Sequence, residues 1–111
     1  MKEFKTMRQI AILALAMGLG CSPLCRAQDA EALLKKSGCT KCHAVSAKKD
    51  GPSFKDVAAK YKGKPDAEAI VTKQITTGPM IRIEGHEERH DVLKTKDAAE
   101  IRSVVAYILS R

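Results

Sequence analysis

The chain has 111 residues, which leaves room for one domain at most. Its formal net charge is +7, from 20 basic and 13 acidic residues, and only 4% of its residues are aromatic. No nucleic-acid partner is expected, because the basic residues are not interleaved with aromatic ones and no nucleic-acid-binding motif accompanies them. Size and composition therefore point to one small domain, whose function has to be inferred from its motifs.

Residues 1–27 predict a cleaved export signal. Basic residues near the start are followed by an apolar run from Ile10 to Leu19, and a small-residue exit ends at Ala27. The run is about half of the roughly 20 residues needed to cross a bilayer, so no stable membrane insertion is expected. Lipidation at Cys21 is the alternative, but Gly18 stands where a branched apolar residue would be expected.

Residues 28–111 are the predicted domain. They retain 16 basic and 12 acidic residues, a formal charge of +4, and their remaining cysteines are Cys39 and Cys42. A domain this small rarely builds a sufficient core from side chains alone and usually depends on a disulfide, a metal or a cofactor. The composition therefore favours a large apolar cofactor.

The apolar spacing predicts an all-α domain of three to four short helices. Strand signals are weak throughout, with Met80–Ile83 as the only short candidate, and Met80 to Thr95 is predicted to be polar and irregular. The predicted helices, in chain order, are Asp29–Lys36, Phe54–Tyr61, Asp66 to about Thr76, and a last helix that opens at Asp97.

The last helix has the clearest start signal. Asp97 is followed three residues later by Glu100, which is a capping-box arrangement. Apolar residues then recur at helical spacing, which predicts one buried face. These residues are Ile101, Val104, Val105 and Ile108.

The pentapeptide Cys39-Thr40-Lys41-Cys42-His43 is the C-x-x-C-H signature of covalent haem attachment. Two thiols at this spacing add to the two vinyl groups of one porphyrin edge, and the adjacent His43 then reaches the iron. A thioredoxin-type dithiol is disfavoured because no strand precedes Cys39. A zinc site would need four ligands, and the neighbouring Cys42 and His43 fit a tetrahedral centre poorly.

From Lys35 through the attachment motif to Tyr61, the sequence resembles the short bacterial class I cytochromes c, and Ala106–Leu109 resembles the closing segment of that family. The resemblance implies a small class I cytochrome c fold wrapped around one covalent haem c. It also implies thioether bonds to Cys39 and Cys42 and proximal iron ligation by His43. In such proteins a proline nine residues after this histidine accepts a hydrogen bond from its Nδ1, and Pro52 has that spacing.

The distal iron ligand is left open by the resemblance, because the family's usual Met-Pro pair is absent. His90 lies 12 residues after Gly78 and 17 before Tyr107, which matches the position of the family's ligand. His90 is therefore the predicted distal ligand and the protein a predicted bis-histidine variant. Met80 is the main alternative, and His86 or a five-coordinate iron are others.

The resemblance implies an exported, periplasmic one-electron carrier rather than an enzyme. It implies transient redox partners and a monomer. Six lysines surround the motif in sequence and favour partners with acidic docking surfaces; they are Lys35, Lys36, Lys41, Lys48, Lys49 and Lys55. A gas-binding or sensing haem protein with a labile sixth ligand is the alternative function.

Overall fold

The computed structural model describes Gly18, Gly20 and residues 22–111. Most of the predicted export signal thus lies outside the described residues. Four α-helices and one two-stranded antiparallel hairpin make up this part of the chain. In chain order they are α1 (Pro23–Lys36), a 3₁₀ helix (Cys39–Lys41), α2 (Phe54–Tyr61), α3 (Ala67–Thr77), β1 (Met80–Ile83), β2 (His86–Arg89) and α4 (Ala98–Leu109).

Helix α1 begins six residues before its predicted start at Asp29. Ser22 is its N-cap, and the Ser22 hydroxyl accepts a hydrogen bond from the Cys25 N–H at 3.4 Å. Pro23 follows at the first helical position, where a missing N–H costs nothing. This start signal was missed because it falls inside the segment assigned to the export signal. The buried residues of α1, Ala30 and Leu34, both follow Ala27.

Helices α2 and α3 follow the predicted spans closely. Helix α2 begins at Phe54, as predicted, with the Ser53 hydroxyl accepting the Asp56 N–H at 3.1 Å. Helix α3 has Asp66 as its N-cap residue and ends at Thr77.

Helix α4 is capped by Asp97, whose carboxylate accepts the N–H groups of Ala99 and Glu100 at 2.7 and 3.1 Å. The reciprocal half of a capping box is not formed, because the Glu100 carboxylate accepts a hydrogen bond from the Thr95 hydroxyl instead. The predicted apolar face of α4 is buried at Val104, Val105 and Ile108.

The hairpin departs from the prediction of an irregular segment. Strand β1 matches the predicted short strand, but β2 was not predicted, because His86-Glu87-Glu88-Arg89 has no apolar alternation. A two-residue turn joins the strands, with Glu84 at φ 48° and Gly85 at φ 88°. Positive φ at both central positions defines the turn type that suits the twist of a tight hairpin.

The core lies where α4 packs against α1, α2 and α3. Val104 is fully buried at its centre, and Leu93 reaches it from the segment between β2 and α4. The Tyr107 hydroxyl donates a hydrogen bond to Glu31 of α1 at 2.8 Å, which joins the first and last helices. In the part of the chain that the structure describes, no helix combines the length and the apolar character needed to span a membrane.

Candidate functional site

The two cysteines of the motif lie on a tight turn that follows α1. The N–H groups of Cys42 and His43 both donate to the Cys39 carbonyl, at 3.3 and 3.0 Å. This local folding places all three side chains at one cavity. The motif is therefore preorganised by its own short-range hydrogen bonds.

The thiols of Cys39 and Cys42 sit in surroundings that disfavour a negative charge. Burial raises the pKa of the Cys39 thiol, and the Asp91 carboxylate adds to the effect. The pKa of Cys42 is raised by partial desolvation and by nearby carboxylates, chiefly those of Asp50 and Glu88. Since the thiolate is the reactive form in disulfide exchange, a raised pKa makes both thiols less reactive in that side reaction.

His43 is held by the loop that follows it. Its Nδ1 lies 2.6 Å from the Pro52 carbonyl, which accepts a hydrogen bond from the Nδ1–H tautomer. Gly51 makes this approach possible, because a Cβ there would lie 2.5 Å from His43 Cε1. The Gly51 N–H in turn donates to the Cys42 carbonyl at 2.9 Å. These contacts hold the ring of His43 at the cavity wall and leave Nε2 as the ring nitrogen that Pro52 does not engage.

His90 lies directly after β2 and lines the same cavity. Its ring centroid is 6.1 Å from that of His43, and the two rings are inclined by 50°. Nδ1 of His90 is buried and has no hydrogen-bond partner among the described residues. A buried nitrogen without a partner is unusual, so the fold leaves a polar atom of His90 unsatisfied beside the cavity.

The two alternative distal ligands lie elsewhere on the hairpin. Met80 is 57% exposed and is not part of the cavity wall. His86 is also outside the wall and lies 3.5 Å from the Glu88 carboxylate, with both side chains largely in solvent. Of the three candidates, the fold brings only His90 to the cavity that contains the motif.

The cavity has a volume of about 780 Å³, within the usual range of roughly 300–1,000 Å³ for cofactor sites. Its walls come from the motif, α2, α3 and the hairpin. The space between the two histidines also suits a metal, because imidazole nitrogens lie about 2 Å from a metal that they bind and two opposed ligands then place their ring centres about 6 Å apart. The apolar part of the wall includes Leu34, Phe54, Val57, Ile70, Val71, Ile75, Ile81, Ile83 and Ile108.

A sequence model of the cytochrome c family matches residues 27–111. This chain belongs to the cytochrome c family. Members hold one covalent haem c through a Cys-x-x-Cys-His motif, and this cytochrome has that motif at Cys39–His43. The predictions of haem c as the cofactor and of an electron-transfer protein rather than an enzyme are thereby confirmed at the level of the family.

Individual relatives agree with the family. Cytochrome c-551 of Pseudomonas aeruginosa is 42% identical over 73 residues, which cover 65% of this chain and 70% of the relative. The class 1 cytochrome MtoD from Sideroxydans lithotrophicus ES-1 is 42% identical in sequence. Its crystal structure superimposes with a TM-score of 0.70, over 75% of this chain and 92% of the MtoD chain. Cytochrome c552 of Nitrosomonas europaea is 29% identical, with 72% and 96% of the two chains covered and a TM-score of 0.56.

These likenesses confirm the predicted class I cytochrome c fold. The fold is mostly helical, with the β1–β2 hairpin as its addition to the expected helices. The names of these relatives give no support to the alternative of a gas-binding or sensing protein.

The lysines that line the cavity are not the same set as the six that were predicted because they lie near the motif in sequence. All six predicted lysines are exposed, but of these only Lys41 lines the cavity. Lys60 lines it as well and was missed, because it is 17 residues from the motif and reaches the cavity only through the packing of α2. Among the described residues, the two ion pairs, Arg82–Glu87 and His86–Glu88, involve no lysine.

Three further contributors to the site were not identified from the sequence. Ile81 and Ile83 form part of the cavity wall, and their spacing of two was the available signal for a strand with one inward face. Arg89 also lines the cavity, but nothing in its sequence context distinguishes it from other charged residues of this segment.

Proposed function

We propose that this cytochrome is an exported one-electron carrier of the periplasm, with one haem c held between His43 and His90. The observation that carries the proposal is the placement of the two imidazoles across the cavity that also contains both motif cysteines. Methionine ligation raises a haem's reduction potential relative to histidine. The proposed bis-histidine iron therefore makes this a carrier of lower potential than its methionine-ligated relatives.

Attachment is proposed through Cys39 and Cys42. Each thiol S–H adds across one vinyl group, so that sulfur bonds to carbon and the proton goes to the neighbouring vinyl carbon. His43 is the proposed proximal ligand, and the Pro52 carbonyl at 2.6 Å orients its ring. A hydrogen bond of this kind fixes the tautomer and raises the basicity of the ligating nitrogen.

The chain's own residues set the environment of the redox centre. When bound, haem supplies the ferrous–ferric couple. The aliphatic side chains of α3 and the hairpin exclude water from the cavity walls, with Val71 and Ile75 buried. If haem is bound, His43 and His90 would supply the two iron ligands, and the hydrogen bonds that hold His43 and the backbone of His90 would keep both residues in place.

The ligand assignment is tested on the oxidised protein by absorption spectroscopy and by the reduction potential. We expect no trace of the weak far-red band that methionine-ligated ferric haem shows. His90→Ala should change both the spectrum and the potential, whereas Met80→Leu should change neither, because Met80 lies outside the cavity wall. The far-red band, or its loss in the Met80 variant, would contradict the assignment.

Export is proposed with cleavage after Ala27, leaving residues 28–111. This boundary is supported by the family match, which starts at residue 27, and by the buried residues of α1, Ala30 and Leu34, which follow the cut; the cut removes the first turn of α1 and Ala27, which is partly buried against the core. The expected product in a periplasmic extract has the mass of residues 28–111 plus one haem. A lipidated Cys21, or a retained leader, would appear directly as a higher mass.

The proposed partners are redox proteins with acidic docking surfaces, met transiently by a monomer. Lys41 and Lys60 support this because they are basic residues at the cavity itself and take part in no ion pair among the described residues. A carboxylate-terminated electrode provides a defined acidic surface. Lys41→Glu and Lys60→Glu should slow electron exchange with it at low salt, and the exposed Lys73→Glu, away from the cavity, is the matched control. Equal slowing by all three variants would remove the proposed docking role and leave only a net-charge effect.

A further inference from the structure

The segment that presents His90 is tied to the end of α3 by a set of specific contacts. The His90 N–H donates to the Pro79 carbonyl at 2.9 Å, which extends the pairing of the hairpin by one step. The Leu93 N–H donates to the Ile75 carbonyl at 2.9 Å, and the Leu93 side chain is buried in the core. These bonds fix the backbone on both sides of the histidine.

One side chain completes this set. Arg89 Nη1 donates to the Gly78 carbonyl at 3.0 Å, across 11 residues of sequence. Gly78 is the C-cap of α3, and the last turn of α3 contains no basic residue of its own. Because the carbonyl end of a helix attracts positive charge, the guanidinium satisfies a cap carbonyl and complements the helix dipole at once.

The lack of a side chain at Gly78 allows the His90 segment to pass close to the end of α3. Its φ is +60°, and a Cβ there would lie 2.8 Å from the His90 carbonyl oxygen. The same residue therefore accepts the arginine through its carbonyl and allows the close passage of the His90 backbone. Helix α3, Arg89 and His90 meet at this one residue.

We propose that Arg89 is a positioning residue for the distal iron ligand: by bonding the Gly78 carbonyl, it holds His90 in the orientation that faces His43. The proposal rests on the proposed bis-histidine ligation. The imidazole ring of His90 has no hydrogen bond of its own at Nδ1 to hold it, so its placement depends on these backbone contacts. Loss of the Arg89 contact then makes the departure of His90 from the iron easier.

The test is competition by free imidazole at the ferric iron of the holoprotein, followed by absorption. Imidazole must displace His90, so its apparent affinity reports how firmly His90 is held. We expect Arg89→Ala to tighten imidazole binding on the order of tenfold, the effect of losing one charge-assisted hydrogen bond. Arg89→Lys, which keeps a cationic donor, should restore much of the wild-type value. Arg102→Ala removes the same charge from an exposed position of α4 outside the cavity and should change nothing.

A double-mutant cycle separates an action through His90 from a direct effect on the haem. In a His90→Ala background, Arg89→Ala should have no further effect on imidazole affinity. An equal effect in both backgrounds, or unchanged affinity in Arg89→Ala, overturns the positioning role and leaves the bis-histidine proposal intact. If His90→Ala itself leaves imidazole affinity unchanged, bis-histidine ligation fails and the positioning role fails with it.

A glycine pair provides a second, independent measurement if the arginine variant is poorly folded. Gly78→Ala should also tighten imidazole binding, because its Cβ displaces the His90 carbonyl. Gly63→Ala has a comparable φ of +74° but meets no atom within 4 Å, so it imposes similar backbone strain without touching the His90 segment. Similar imidazole affinities in the two alanine variants would contradict the proposal.

Discussion

The ring of Phe54 is stacked on the imidazole of His43, with centroids 5.6 Å apart and an interplanar angle of 20°. Phe54 also packs edge-to-face with Tyr107, with ring centroids 6.3 Å apart and an interplanar angle of 78°. Since Tyr107 is hydrogen-bonded to Glu31, a continuous set of contacts runs from the packing of α1 against α4 to His43. The terminal helices therefore support the site although neither carries one of the two proposed iron ligands.

The Tyr107–Glu31 bond predicts a loss of stability at alkaline pH. Burial, with the Glu31 carboxylate as a second cause, raises the pKa of Tyr107 above its ordinary value. A raised pKa favours the protonated phenol in the folded state, so this contribution is complete below about pH 10, the unfolded pKa, and is lost as the pH rises through the folded value. Tyr107→Phe should lower the free energy of unfolding by about 1 kcal/mol at neutral pH. Urea titrations should show that the difference in unfolding free energy between wild type and variant decreases above about pH 10. A difference that stays constant with pH would contradict this account.

The two helix N-caps Asp97 and Asp66 form a matched pair. Asp97 accepts two backbone N–H groups of α4, whereas the Asp66 side chain makes no capping hydrogen bond at α3. Asp97→Ala should therefore cost about 1 kcal/mol of unfolding free energy. Asp66→Ala should cost much less, and urea denaturation of the two holoprotein variants measures the difference. Equal losses would mean that charge near the helix dipole, and not the hydrogen bonds, accounts for the effect.

The close approach of Gly51 to His43 predicts that haem attachment requires glycine at this position. In Gly51→Ala, the new Cβ would lie 2.5 Å from His43 Cε1 and 3.1 Å from the Cys42 carbonyl oxygen, so the histidine must move from the Pro52 carbonyl. We expect reduced haem content per polypeptide and a higher reduction potential in whatever holoprotein forms, because a proximal histidine without the Pro52 hydrogen bond is less basic and stabilises ferric iron less. Haem is measured by the pyridine haemochrome assay. Gly63→Ala, which meets no neighbouring atom, should retain full haem content.

Replacing the proposed distal ligand His90 by methionine should change the reduction potential in a known direction. His90→Met should raise the reduction potential, because methionine ligation favours the ferrous state relative to histidine. The expected increase is roughly 0.1–0.3 V, a fraction of the range of about 0.8 V that axial ligands cover. Protein-film voltammetry measures the potential, and the control variant Met80→Leu should have the wild-type value. A potential that is unchanged in His90→Met would show that this position is not a ligand.

Local signals made much of the fold predictable. Helix α2 was predicted with its observed bounds because Ser53 and Gly63 flank a short amphipathic segment. The attachment motif was predictable for the same reason, since its residues are consecutive and their chemistry requires that spacing. Strand β2 was missed because its polarity carries no period-two pattern, and its pairing is set by a turn at Glu84–Gly85.

The parts of the site that depend on distant contacts were harder to predict. His90 was predicted as the distal ligand from its spacing to other landmarks of the family and not from its own polar surroundings, and the structure places it at the cavity. The Arg89–Gly78 bond and the approach of Lys60 to the cavity result from how the hairpin and α2 pack. No periodicity or motif encodes such contacts, because they join segments whose relative placement is decided by the whole core.

The hairpin makes the position of His90 depend on the number of residues between Met80 and Arg89. The strands pair from Met80–Arg89 to Ile83–His86, and the His90–Pro79 hydrogen bond continues this register by one step. One residue added in β2 would shift the register and break that bond. A substitution at the turn leaves the register unchanged, so we expect the placement of His90 to be more sensitive to the length of the hairpin than to the residue types at its tip.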